Sequence, residues 1–230
     1  MAFPLKRYLY ESLPIPVKRC VRWIPFSWLA GGAYSTVYRR GPWFDQASRK
    51  ELSQYQEREL GRVLRFAVDQ VPAYRHLRPV VERHKPYEAI RAFPLLDKDT
   101  VQARQADYLP RDFQKIPHYE TTTGGTSGNQ LKIYVDDCSQ SVELGFMHRQ
   151  WLRVGYTPRQ RKATFRGVSF PNLKPGVFWQ HNPIYNELQF SPFHMSQANL
   201  AAYVNEIIRF APAYFHGYPS AIDVLAEYVL

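Results

Sequence analysis

Cysteine is close to absent from this chain: Cys20 and Cys138 are the two in 230 residues. Two thiols with no metal-like spacing build neither a zinc site nor a disulfide framework, and they fit a reducing, cytoplasmic compartment. Long apolar runs are missing too. The stretch VRWIPFSWLAGGAY is too short and too interrupted to span a bilayer. The run after Lys6-Arg7 is broken by Glu11, Pro14, Pro16 and Lys18-Arg19, so no secretory signal peptide is expected. Acidic residues are scarce at one end. In residues 1–40, Glu11 alone faces Lys6, Arg7, Lys18, Arg19, Arg22, Arg39 and Arg40, whereas from residue 170 onward two basic residues face four acidic ones. The net charge of +10 is therefore a local property, which argues against a nucleic-acid-coating domain. Histidines are scattered, with no pair at helical metal spacing, so no metal site is expected.

What is present is the composition of a soluble globular protein, 45% apolar and 22% charged, long enough to bury a core. Residues 1–45 form a basic aromatic arm. Trp23, Ile24, Phe26, Trp28 and Leu29 beside basic residues either dock that arm onto the domain or lie on a membrane surface, and Pro25 spoils a continuous amphipathic helix there. Residues 46–115 read as helical. Ser48 and Glu51 form a capping box, and Leu52, Leu60, Val63, Leu64, Ala67, Val68 and Val71 recur at helical spacing until Pro72. A Pro-punctuated connector follows, with Asp97 as the N-cap of another helix.

From residue 116 to 230 strands and helices alternate. Leu131, Ile133 and Val135 alternate with polar residues as in a half-buried strand. Asp137 caps a helix whose buried face is Val142, Phe146, Met147, Trp151 and Leu152. KATFRGVSF is a second strand, 171–193 a loop rich in Pro and Asn, and Ser196 the cap of a helix with Leu200, Tyr203, Val204, Ile207 and Ile208 inward. AYFHG is a third strand, and Ser220 opens a last helix striped by Leu225, Ala226, Val229 and Leu230. The alternation predicts an α/β sheet with crossover helices. The last periodic segment reaches Leu230 without a cap, and the expectation is a domain truncated there.

Three of the twelve glycines fall in TTTGGTSG, residues 121–128, together with five hydroxyl side chains. Glycines let successive backbone N–H groups face an anion, Thr and Ser hydroxyls donate to phosphate oxygens, and Lys132 adds charge. The segment is neither a Walker A loop nor a dinucleotide fingerprint. On local chemistry alone it is equally a Thr/Gly-rich hairpin turn.

TGGTSGNQLKIY resembles the Ser/Thr/Gly-rich phosphate loop of the adenylate-forming (ANL) enzymes, in the branch of phenylacetate–CoA ligases and CapK-like capsular polysaccharide biosynthesis proteins. Thr123, Gly125, Gly128, Leu131, Lys132 and Tyr134 fall on matching positions, and Thr126 and Ser127 keep the hydroxyl character. Three further segments, in the same order, are similar to that family: ELSQYQERELGRVLRFAVDQVPAYR, FPLLDKDTVQ, and the run from NELQFSPFH to GYPSAIDVLA. Gln130 stands where the family has proline, and Gly124 where it has a hydroxyl.

The resemblance implies the α/β adenylation domain of an AMP-forming acid–CoA ligase, with ATP and Mg²⁺ as expected cofactors and a small carboxylic acid as substrate. CoA or another acceptor would take the acyl group. The implied phosphate site is Thr123, Gly124, Gly125, Thr126, Ser127, Gly128 and Lys132. The implied substrate pocket is His216, Gly217, Tyr218 and Pro219, at a strand end where open α/β sheets bind ligands. The family's later Tyr-Gly-x-Thr-Glu motif, ribose-binding Asp and lysine-bearing domain have no counterpart in these 230 residues, so the catalytic residues are unassigned. A second expectation, of a different class, is a non-catalytic protein of surface-polysaccharide assembly that meets the inner membrane face through residues 1–40. Other readings of single residues are structural: Ser220 as a helix start, His216 as a strand-end histidine, Arg166 as a salt-bridge former.

Overall fold

A computed structural model describes residues 23–123, 130–167, 170 and 175–230. Of these, 39–123 with 130–140 form one compact unit and 23–38 with the residues after 140 form a second. Helix α1 (Phe26–Gln46) opens the described chain and is broken at Gly31, whose φ of +86° is a conformation that side-chain-bearing residues rarely adopt.

In the first unit, α2 (Arg49–Gln70) begins where the sequence placed it. The Glu51 amide donates to Ser48 Oγ at 3.3 Å, and the Ser48 amide donates to Glu51 Oε2 at 2.8 Å, so two otherwise orphaned donors are satisfied reciprocally. It ends because Val71 turns extended and Pro72 has no N–H to continue the ladder. Gly61, Leu64 and Val68 form its buried stripe, while Val63, although in the periodic run, is 57% exposed. The connector contains α3 (Arg78–Arg83), α4 (Pro86–Ala89) and α5 (Lys98–Ala103), the last capped by the Asp97 carboxylate, which accepts from the Thr100 amide at 2.7 Å. Then β1 (His118–Thr122) and β2 (Lys132–Asp136) pair antiparallel, with Thr122 opposite Lys132 and His118 opposite Asp136.

The alternation expected along β2 is only half right. Ile133 is exposed, and Tyr134 packs instead, its ring 4.6 Å from that of Phe113. The turn into the next helix, α6 (Ser139–Leu152), is held by Asp136, which accepts from the Cys138 amide and the Ser139 hydroxyl; Asp137, the expected cap, makes neither bond.

The second unit holds most of α6 and a four-stranded sheet in the order β4-β5-β3-β6, from β3 (Lys162–Phe165), β4 (Trp179–Asn182), β5 (Glu187–Phe190) and β6 (Tyr214–Gly217). β5 and β6 run parallel to β3, and β4 runs antiparallel to β5. The segment 171–193, expected as a loop, thus contains two strands. Its reversal falls at Asn186, which accepts a φ of +45° more readily than most residues, and the short flanking runs gave too few periods to read.

Strand periodicity separates the sheet's two faces. One carries Ala163, Phe165, Leu188 and Phe190, packed with Leu200 and Tyr203 of α7 (Gln197–Phe210) and Ala221 and Leu225 of α8 (Pro219–Val229). Ile208, expected inward on α7, is 70% exposed, and Val229 and Leu230 are exposed on α8. Ser196 occupies the N-cap of α7 without a side-chain capping bond. Tyr218, not Ser220, is the N-cap of α8, with Pro219 in the first turn. The opposite face carries Lys162, Thr164, Glu187, Gln189 and His216.

Candidate functional site

The hairpin β1-β2 forms the base of the hydroxyl–glycine loop. Thr123 N–H donates to the Leu131 carbonyl at 2.9 Å, and the Leu131 amide donates to Thr123 Oγ1 at 3.1 Å. The backbone ladder is therefore extended by one pair toward the loop. The Thr123 hydroxyl accepts a hydrogen bond there and keeps its own proton to donate elsewhere. Two glutamine side chains hold the outgoing strand: Gln102 Nε2 donates to the Gln130 carbonyl at 2.9 Å, and Gln105 Nε2 to that of Lys132 at 2.7 Å. Lys132 Nζ lies 3.0 Å from Glu120 Oε1 on the same face of the hairpin, and this half-exposed partner raises the lysine's pKa. The remaining expected phosphate ligands, Gly124, Gly125, Thr126, Ser127 and Gly128, lie outside the described residues. The structure thus brings Thr123 and Lys132 to the two sides of one loop base. That base supplies a hydroxyl proton from Thr123 and a cation, Lys132, already engaged by the Glu120 carboxylate.

The second expected site, His216 to Pro219, lies at the end of β6. Gly217 faces Phe165 across the sheet so closely that a Cβ would sit 2.7 Å from Phe165 Cβ and 2.8 Å from its carbonyl oxygen. Tyr218 N–H donates to that carbonyl at 3.1 Å, which carries the strand pairing into the first residue before α8, and its side chain is 56% exposed. His216 instead points to the polar face, its ring 4.6 Å from that of Trp151. Burial, then the charges of Lys162 and Arg166, push its pKa down to about 4, so it is neutral at pH 7.

The polar face holds a cluster that sequence reasoning missed. Lys162 Nζ is 3.0 Å from Glu187 Oε2, with both side chains less than a tenth exposed. Thr164 Oγ1 donates to the same oxygen at 3.1 Å, and Gln189 Nε2 donates to Glu187 Oε1 at 2.5 Å. The ammonium also lies over the rings of Trp151, Tyr156 and Tyr185, at 4.8, 5.5 and 5.9 Å. From α6, His148 is 1% exposed and shares a 3.0 Å hydrogen bond with the Tyr34 hydroxyl of α1. Burial, then the Lys162 charge, lowers its pKa to about 4. The buried stripe of α6 is accordingly Ser141, Gly145 and His148, and Phe146, expected inward, is 41% exposed. A Cβ at Gly145 would meet the Val37 side chain at 2.9 Å, so close approach of α1 selects glycine there. The available signal was period-2 placement of Lys162 and Thr164 inside an otherwise apolar strand. Matched in charge and enclosed by rings, Lys162 is a packing element of the sheet.

Among the described residues, no group of three or more His, Cys, Asp or Glu side chains could hold a metal ion, and no helix is long and apolar enough to cross a membrane. No protein-family model matches the chain, and no solved structure matches it. Protein CapK of Staphylococcus aureus is similar to it, 23% identical over 143 residues. That match takes in 61% of this chain and 31% of CapK, so less than a third of the relative's length is represented.

Proposed function

We propose that this chain is the ATP-phosphate-binding part of an acyl-adenylate-forming protein of the phenylacetate–CoA ligase and CapK-like group. The observation that carries the reading is the loop base, where Thr123 and Lys132 flank a segment with three further glycines and two further hydroxyl residues. The likeness to CapK supports kinship with that protein; adenylate chemistry is the step beyond it.

In the whole protein the reaction joins a carboxylate oxygen to the α-phosphorus of ATP and breaks the bond to the bridging oxygen, releasing pyrophosphate. An acceptor such as the CoA thiol then displaces AMP. Magnesium riding on the phosphates would supply neutralising charge with few protein ligands. The loop residues of this chain would hold the β- and γ-phosphates in line for that displacement, Thr123, Thr126 and Ser127 by hydroxyl donation and Lys132 by charge.

The test is calorimetric titration of the 230-residue chain with MgATP, repeated on the T126A/S127A variant. We expect binding that weakens at least tenfold in the variant, as two donors to charged oxygens are removed. Undetectable binding, or an unchanged affinity in the variant, sinks the reading.

A further inference from the structure

Two long segments of the chain contain no acidic residue: positions 12–44, between Glu11 and Asp45, and positions 144–186, between Glu143 and Glu187. The second carries Arg149, Arg153, Arg159, Arg161, Lys162, Arg166 and Lys174. In the second unit these two segments meet. Phe26 inserts its ring beside those of Tyr34, His148 and Tyr185, at 5.2, 5.2 and 5.4 Å, and anchors the start of α1. On either side of that anchor, Trp23 and Trp28 stay 84% and 77% exposed. Beside Trp23 runs a groove of about 140 Å³, lined by Trp23, Ile24, Phe26, Pro158, Arg159 and Ile184 among others. Val154, 70% exposed, and the exposed side chains of Arg159 and Arg161 belong to the same acid-free stretch.

We propose that this face is a docking surface for an anionic lipid bilayer, with Trp23, Ile24 and Trp28 entering the headgroup region and Arg159 and its neighbours facing the lipid phosphates. Tryptophan is the side chain best suited to that boundary, because its ring is apolar and its indole N–H still finds a partner among headgroups. An apolar edge alone binds a membrane weakly; apolar insertion plus a basic surface is the two-signal combination that holds a peripheral protein. Charge decides the occupant. A protein partner's apolar patch needs no such stretch free of carboxylates, whereas an anionic surface repels every one. The proposal is independent of the ATP reading, since it uses other residues.

The test is flotation of the full chain with phosphatidylcholine vesicles, with and without phosphatidylglycerol. Binding is expected only with phosphatidylglycerol, falling steeply as salt is raised. The W23S/W28S and R159E variants are each expected to lose about tenfold or more in partitioning. Tryptophan fluorescence is expected to shift blue on binding and to be quenched by bromine-labelled acyl chains, a change that W23S/W28S removes. Because these side chains are exposed, the variants should keep the circular dichroism and melting temperature of the parent, which separates lost binding from lost folding. Equal binding to neutral vesicles, no binding to either, or indifference to both variants overturns the proposal. So does binding of a single-stranded oligonucleotide that displaces vesicles and depends on Arg159 but not on the tryptophans, which would assign the face to nucleic acid.

Discussion

Lys162 Nζ and Glu187 Oε2 lie 3.0 Å apart across two parallel strands, both side chains more than nine-tenths buried. Their charges compensate each other only while both are present. Removing one partner as K162M leaves a carboxylate buried with Thr164 and Gln189 alone, and should cost about 3–5 kcal/mol. The double variant K162M/E187L removes both charges and should recover much of that loss. Urea unfolding of the three proteins measures it. A double variant no more stable than K162M would show that the pair is not the reason for the cost.

The histidines beside that pair set a pH dependence. His148 has its pKa lowered to about 4, first by burial and then by Lys162, against about 6.5 in an unfolded chain. Between those values the unfolded state binds the proton and the folded state does not, so stability falls as pH falls. His216, its pKa likewise lowered to about 4 by burial and then by Lys162 and Arg166, acts in the same direction. Stability should be level above pH 6.5 and decline from there toward pH 4, by on the order of 2–3 kcal/mol for His148. The variant H148Q, which cannot titrate, should remove about half of the slope that the two histidines set, in unfolding measured at successive pH values. An unchanged slope would place its origin elsewhere.

Gly217 tests the end of β6. In G217A the new Cβ meets Phe165 Cβ at 2.7 Å and its carbonyl oxygen at 2.8 Å, and the backbone oxygen cannot swing aside. A loss of about 1–3 kcal/mol is expected from such overpacking. Alanine at Gly32, which has nothing within 4 Å of its would-be Cβ, is the control. Equal melting temperatures for G217A and the parent would refute the close approach.

Two helix starts were legible in the sequence because capping is local chemistry: Ser48 with Glu51, and Asp97 with Thr100, need no distant partner. The strands around Lys162–Phe165 and Tyr214–Gly217 were legible from their apolar runs. What stayed hidden depends on distant residues. Gly145 and His148 line the buried stripe of α6 because α1 approaches there, and no periodicity of large apolar residues announces that. The hairpin of β4 and β5 was missed because its strands are four residues each and lie among prolines and asparagines. In the candidate site, the strand after the loop was expected from Leu131, Ile133 and Val135, but its partner β1 was not, nor was the engagement of Lys132 by Glu120. That engagement depends on strand register, which places Glu120 diagonally opposite Lys132 on one face.

The same engagement separates a phosphate-binding lysine from a hairpin staple. Exposed ion pairs contribute little to stability, so neither K132A nor E120A should move the melting temperature appreciably. Their effects on ATP should be opposite. K132A removes a charge-assisted donor and should weaken MgATP binding about tenfold. E120A releases the ammonium from its carboxylate and removes a negative charge near the phosphates, so it should tighten binding by a few-fold, more at low salt than at high. If both variants leave affinity unchanged while T126A/S127A lowers it, the loop binds phosphate without Lys132. If E120A weakens binding as much as K132A, the pair serves by holding the hairpin in register, and the lysine's charge is not what the nucleotide meets.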